Sequence, residues 1–71
     1  MYLKVYYVKD GGKSRDATVA DVQAALPTDM PGLSVEDLPT CCTIVEFPKG
    51  ATYADSRKLA KHLQSQGFET E

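Results

Sequence analysis

The chain has 71 residues, a mass of 7.8 kDa, 42% hydrophobic residues and a formal net charge of −2. This length predicts one domain, 1–71, and the ordinary composition argues against both a disordered chain and a multidomain enzyme. There is no apolar run near the roughly 18 residues of a membrane span and no secretory leader, so we expect a cytoplasmic protein without membrane contact.

The first predicted element is a strand over 2–8, where β-branched and aromatic residues dominate. Strict alternation predicts that Val8 lies on the outer face of this strand. The residues predicted on its core face are Leu3, Val5 and Tyr7. A turn at 10–12 follows, since glycine accepts positive φ, and 13–16 is a candidate short return strand.

Two segments, 17–21 and 51–55, share the pattern Ala-Thr-x-Ala-Asp. In each, the threonine and aspartate predict a capping box, so each segment predicts the start of a helix. Duplication of one unit and convergence on a favourable helix start both explain the pattern. Pro27 ends the first helix. The apolar spacing predicts buried stripes at Val19, Val22, Ala25 and Leu26, and at Ser56, Leu59, Ala60, Leu63 and Gln66.

The segment between the helices combines a loop and a strand. Residues 27–39 predict a loop with at most one helical turn from Ser34, and 41–47 predict an internal strand with apolar residues on both faces. The expected fold class is α/β (α+β), with two helices packed on one face of a small three- or four-stranded sheet. The order is β-α-β-α, with candidate short extra strands at 13–16 and 68–71. If the two main strands are parallel neighbours, their crossover is right-handed.

Cys41 and Cys42 are the residues with the most evident chemistry. Neighbours in a strand point to opposite faces, and neither a Cys-x-x-Cys spacing nor four zinc ligands are present. We interpret both as small strand residues with free thiols, and His62 as a solvated helix residue. A domain this small has little room for a pocket. We therefore expect no catalytic residue, no cofactor and no metal site.

Charge is segregated along the chain. Residues 1–15 carry a net +3, residues 16–48 carry −6 without any lysine or arginine, and residues 49–71 carry +1. The central segment mixes acidic and apolar residues, which suits docking to a partner protein with a basic surface. The expected partner-binding residues are Asp21, Asp29, Glu36 and Asp37. The other interpretation of this segment is a solvated acidic face.

Two functional hypotheses follow. The first is a non-enzymatic protein-binding module, either a monomer or a homodimer. In size and charge layout the chain resembles small accessory proteins of phages and mobile elements, including anti-CRISPR-like inhibitors of host nucleic-acid-handling complexes. The alternative is a small nucleic-acid-binding regulator or complex subunit that uses a basic helix face at Arg57, Lys58 and Lys61. Three charges release few counterions, so nucleic acid is the less favoured partner.

Overall fold

The structure, a computed structural model, describes residues 1–71 as five strands and two helices. The elements are β1 (Tyr2–Asp10), β2 (Lys13–Asp16), α1 (Val19–Ala25), β3 (Ser34–Leu38), β4 (Cys42–Glu46), α2 (Tyr53–Ser65) and β5 (Phe68–Thr70). All strand pairs are antiparallel, and the five strands form one sheet that curls into half of a barrel. Neither helix has the length and apolarity that crossing a membrane requires.

Strand β1 organises the sheet because it pairs with three other strands. Its first half pairs with β4 and its second half with β2. Strand β5 pairs with residues between Val5 and Val8 and so overlaps both partners. It follows that β2 and β4 share one edge of β1, while β5 takes the other. Strand β3 lies on the far side of β4, which makes β3 an edge strand and β4 an internal one.

The structure confirms a small α+β chain and corrects the predicted element order, which is β-β-α-β-β-α-β. The candidate strands at 13–16 and 68–71 are present, the second as Phe68–Thr70. The predicted loop and helical turn are wrong at β3. There, half-buried Val35 lies opposite Val45, and this pairing with the next strand outweighs the local preference for a helix start. The main strands β1 and β4 are antiparallel, so no parallel crossover exists. Packing of both helices on one face stays a prediction.

A β-bulge in β1 reverses the alternation predicted for its second half. The pairing with β5 shifts register between Val5 and Tyr7. Beyond the shift Val8 is 8% exposed and Tyr7 is 45% exposed, which is the opposite of the predicted arrangement. A bulge places one extra residue in a strand, and every later side chain then changes face.

One hydrophobic cluster joins the sheet to both helices. Its members are Leu3, Val5, Val8, Ala17, Val22, Ala25, Val45, Phe47, Leu59, Ala60, Leu63 and Phe68. The predicted stripes are confirmed for their central residues, whereas Val19 and Leu26 are half-buried and Gln66 is exposed. Both predicted capping boxes are formed, one at Thr18 and the other at Thr52.

Candidate functional site

Asp21, the first predicted contact residue, is bound within the chain. Arg15 donates from Nη1 to Asp21 Oδ2 at 2.6 Å and from Nη2 to Oδ1 at 3.0 Å. The backbone N–H of Thr18 also donates to Asp21 Oδ2, at 2.9 Å. The hydrogen bonds from Arg15 and Thr18 hold the pKa of Asp21 well below its usual range. Because its acceptors are already occupied, Asp21 is poorly placed to bind a partner.

Asp29, the second predicted contact residue, forms a salt bridge from the loop after α1 to helix α2. Lys58 of α2 donates from Nζ to Asp29 Oδ2 at 3.0 Å, and this contact lowers the pKa of Asp29. Both side chains are mostly exposed, so the bridge adds little stability. It nevertheless pairs a residue of the predicted acidic surface with a residue of the predicted basic face.

Glu36 and Asp37 lie on the edge strand β3, where both are exposed and neither forms a salt bridge. They are consecutive, so their side chains point to opposite faces: Glu36 is opposite Ile44, and Asp37 is opposite Thr43. Of the four predicted acids, only these two belong to one element. We call the edge strand Ser34–Leu38 with these two carboxylates the β3 acidic edge.

The predicted basic face of α2 is largely engaged. The Arg57 guanidinium lies over the ring of Tyr53, with Cζ 5.7 Å from the ring centroid, and Nη2 donates to the carbonyl of Glu71 at 3.4 Å. Lys58 is paired with Asp29. Lys61 is exposed and forms no salt bridge, so one of the three predicted cations stays free.

Sequence reasoning missed a cleft of about 370 Å³ between β1 and the start of α2. Met1, Tyr2, Tyr53 and Arg57 are among its lining residues, and Tyr53 is 73% exposed. Tyrosine, methionine and arginine are enriched at protein interfaces. The Nε atom of Arg57 is buried there without a hydrogen-bond partner. Residues 2 and 53 become neighbours only in the folded chain, so no local sequence pattern predicts this cleft.

The two cysteines lie together, and the prediction that they point apart is wrong. Cys41 is in the turn between β3 and β4, where the backbone does not alternate as a strand does, and β4 begins only at Cys42. Their Sγ atoms are 2.8 Å apart. Burial, with the hydrogen bond to Cys41, raises the pKa of Cys42 to about 11. Both thiols border a cavity of about 100 Å³.

His62 is not the solvated residue that its sequence context predicts. It is half-buried, and its Nε2 lies 2.8 Å from the backbone carbonyl of Ala25. The same Nε2 also lies 3.0 Å from the side-chain Nε2 of Gln66, at the end of α2. The contact with the Ala25 carbonyl connects α2 to the end of α1, which gives His62 a structural role.

No group of three or more histidine, cysteine, aspartate or glutamate side chains is arranged to hold a metal ion. No model of a known protein family matches the chain, and no curated protein or solved structure matches it either. A function can therefore be proposed only from the geometry of these surfaces.

Proposed function

We propose that the protein is a non-enzymatic protein-binding module that receives an extended, lysine- or arginine-rich segment of a partner along the β3 acidic edge. One observation carries this proposal. β3 is a five-residue edge strand with no strand on its outer side, and its two carboxylates form no salt bridge. An unpaired edge with free charge is ready to accept another strand.

The mode of binding follows from strand geometry. The outer N–H and C=O groups of β3 pair with the main chain of the partner segment, which supplies affinity for any extended chain. Glu36 and Asp37 point to opposite faces, so basic side chains at successive positions of the partner each meet a carboxylate. Charge complementarity thereby selects a basic segment over other extended segments.

The same charges disfavour a second copy of the chain as the occupant of this edge. Two β3 strands that paired with one another would bring Glu36 and Asp37 of both copies together. Like charges on paired strands are destabilising, and charged side chains are a common means of preventing edge-to-edge association. A basic partner removes this repulsion, whereas a second copy creates it.

The proposal extends to a class of partner. A basic nucleic-acid channel of a host complex is a surface of suitable charge, and a phage-encoded, anti-CRISPR-like inhibitor would occupy it in place of phosphate. The size of the chain and the acidity of residues 16–48 support this extension. Because Asp21 and Asp29 are paired within the chain, Glu36 and Asp37 are the residues that would carry it.

The test uses a synthetic peptide with two consecutive lysines between valine and threonine residues, long enough to cover the five residues of β3. We expect amide shift changes in the ¹⁵N-labelled protein to concentrate at 34–38, with slower hydrogen exchange there. Glu36→Lys should weaken peptide binding, whereas Glu69→Lys, a matched change at an exposed residue of another edge strand, should not.

Two results would contradict the proposal. The first is shift changes that spread over all acidic residues, or equal weakening by Glu36→Lys and Glu69→Lys. The second is a homodimer, measured by sedimentation, that protects the amides of 34–38 and that the peptide does not dissociate. In that case the β3 acidic edge is already filled by a second copy.

The alternative function, a nucleic-acid-binding regulator or complex subunit, is the weaker proposal. Of its basic residues, Lys58 is paired with Asp29, and Arg57 is bound to Glu71 and lies over Tyr53. Fluorescence anisotropy with labelled single- and double-stranded oligonucleotides at about 50 mM salt should detect no binding. Binding that Lys61→Glu reduces would favour this alternative over the protein-binding module.

A further inference from the structure

We propose that Cys41 and Cys42 form a vicinal dithiol site that chelates trivalent arsenic, either as arsenite or as an organic arsenical with one substituent. The site lies in the turn between β3 and β4, and the inference does not depend on the function of the β3 acidic edge.

The backbone of the turn brings both sulfur atoms to one side. The N–H of Cys41 donates to the carbonyl of Leu38 at 3.0 Å, which closes the turn before β4 begins. Cys41 therefore does not follow the alternation that starts with Cys42, and the two Sγ atoms approach to 2.8 Å. Two sulfur atoms this close, on one side of the chain, can both bond to a single atom.

A disulfide is the less suitable product of this pair. Adjacent Cα atoms are about 3.8 Å apart, which is below the roughly 4.4–6.8 Å that ordinary disulfides span. Such a bond would be strained and readily reduced, so the dithiol would be restored. Burial also raises the pKa of Cys42 to about 11, which keeps its thiol protonated and slow in disulfide exchange.

The ligand set selects among thiophilic ions. Zinc takes four protein ligands in structural sites. No histidine, aspartate, glutamate or further cysteine is placed to join the two thiols as a third ligand. Monovalent copper with two thiolates prefers them on opposite sides of the ion, which this geometry does not offer. Trivalent arsenic is pyramidal and three-coordinate, takes two sulfur atoms on one side and keeps its own third substituent.

The surroundings leave space for that substituent. The cavity of about 100 Å³ beside the thiols is lined in part by Tyr6 and Leu38, and Cys41 itself is exposed. A small hydroxyl or methyl substituent fits the cavity, and a larger one extends past Cys41 into solvent. The arsenic centre can thus reach both sulfur atoms without unfolding the turn.

The reaction is a condensation without redox change. Each S–H loses its proton to a hydroxyl group on arsenic, two As–O bonds break, two As–S bonds form, and two molecules of water leave. No oxidant or reductant takes part, so the site needs only that both thiols are reduced. Two linked thiols hold one centre roughly 10²–10⁴-fold more tightly than a single thiol does.

The test uses phenylarsine oxide, whose hydrated form carries two hydroxyl groups on arsenic. One equivalent added to the reduced protein should give one adduct per chain by intact mass. Neither cysteine of this adduct should then be alkylated by iodoacetamide. The adduct should persist in excess 2-mercaptoethanol, and 2,3-dimercaptopropanol should release it. Cys41→Ser and Cys42→Ser should each lose the adduct in 2-mercaptoethanol.

Two outcomes would overturn the inference: two thiols that still react with iodoacetamide after phenylarsine oxide is added, or an adduct that 2-mercaptoethanol removes from the wild type as easily as from the serine variants. Circular dichroism melts of both variants control for unfolding. Cys41 is exposed, so Cys41→Ser should keep the wild-type melting temperature and provides the test even if Cys42→Ser is destabilised.

Discussion

Thr43 provides a test of how β4 is joined to the segment between β2 and α1. Its side chain is 1% exposed, and its Oγ1 donates to the carbonyl of buried Ala17 at 2.8 Å. Thr43→Val keeps the shape of the side chain and removes the donor. The Ala17 carbonyl then loses this hydrogen bond inside the protein.

The expected cost is large for a chain of this size. Leaving a buried acceptor without its donor costs about 1–3 kcal/mol. At about 0.05–0.15 kcal/mol per residue, the whole chain of 71 residues has only about 4–11 kcal/mol of stability. A loss of about 2 kcal/mol corresponds to a decrease in melting temperature of about 8–16 °C. Thr43→Ser keeps the hydroxyl and loses one methyl group, so it should cost about 1 kcal/mol.

Urea unfolding followed by circular dichroism measures both variants against the wild type. The dependence of the unfolding free energy on urea should stay unchanged, since neither substitution changes the area that unfolding exposes. The reasoning fails if Thr43→Val is as stable as the wild type, or if Thr43→Ser is less stable than Thr43→Val. Either result would mean that the methyl group, and not the hydrogen bond, is what Thr43 contributes.

Two further predictions concern the Arg15 network and the bulge. Asp21→Asn should lower the melting temperature more than Asp55→Asn, because both aspartates complete a capping box but only Asp21 also binds Arg15. The folded-state pKa of Asp21 lies below its unfolded value, so the stability that its carboxylate contributes is complete above about pH 4 and is lost as the pH falls towards the folded pKa. The melting temperatures of the wild type and Asp21→Asn should therefore converge in acid. A difference in melting temperature that widens as the pH falls would contradict this. Val8→Lys should lower the urea midpoint of unfolding far more than Tyr7→Lys, because Val8 is buried opposite Arg15 and Tyr7 is half exposed. In a strand without the bulge, Tyr7→Lys would be the more destabilising of the two.

Features that depend on a few neighbouring residues were the ones that sequence could predict. Both helix starts follow from a threonine and an aspartate three positions later, and the structure has both capping boxes. The strand pattern of 41–47 also suffices to predict that β4 is internal. In each case the deciding interaction lies within one turn or one strand.

Features that depend on contacts between different elements could not be predicted in this way. Strand β3 forms because Val35 meets Val45 of β4, although its local sequence resembles a helix start. The bulge in β1 arises where β5, some 60 residues later, pairs with it, so no periodicity within 2–8 reveals it. The loss of Asp29 from the predicted partner-binding residues has the same cause. Its bridge to Lys58 joins residues that are 29 positions apart, so the local sequence does not indicate it.

The bridges Arg15–Asp21 and Lys58–Asp29 also affect how the electrostatic field of the protein is distributed. Each cation comes from a basic flank of the chain and binds an acid of the central segment, so charge that is separated in sequence alternates in space. Exposed charges are largely screened beyond the Debye length of about 10 Å at 0.1 M salt, and the protein measures 35 × 25 × 19 Å, so an approaching molecule senses mainly the charges nearest to it. A basic partner near the β3 acidic edge is attracted mainly by Glu36 and Asp37 over this short distance, so its association rate should fall only modestly as the ionic strength rises. Discrimination between partners would occur only at contact, as residence time on the edge of the sheet.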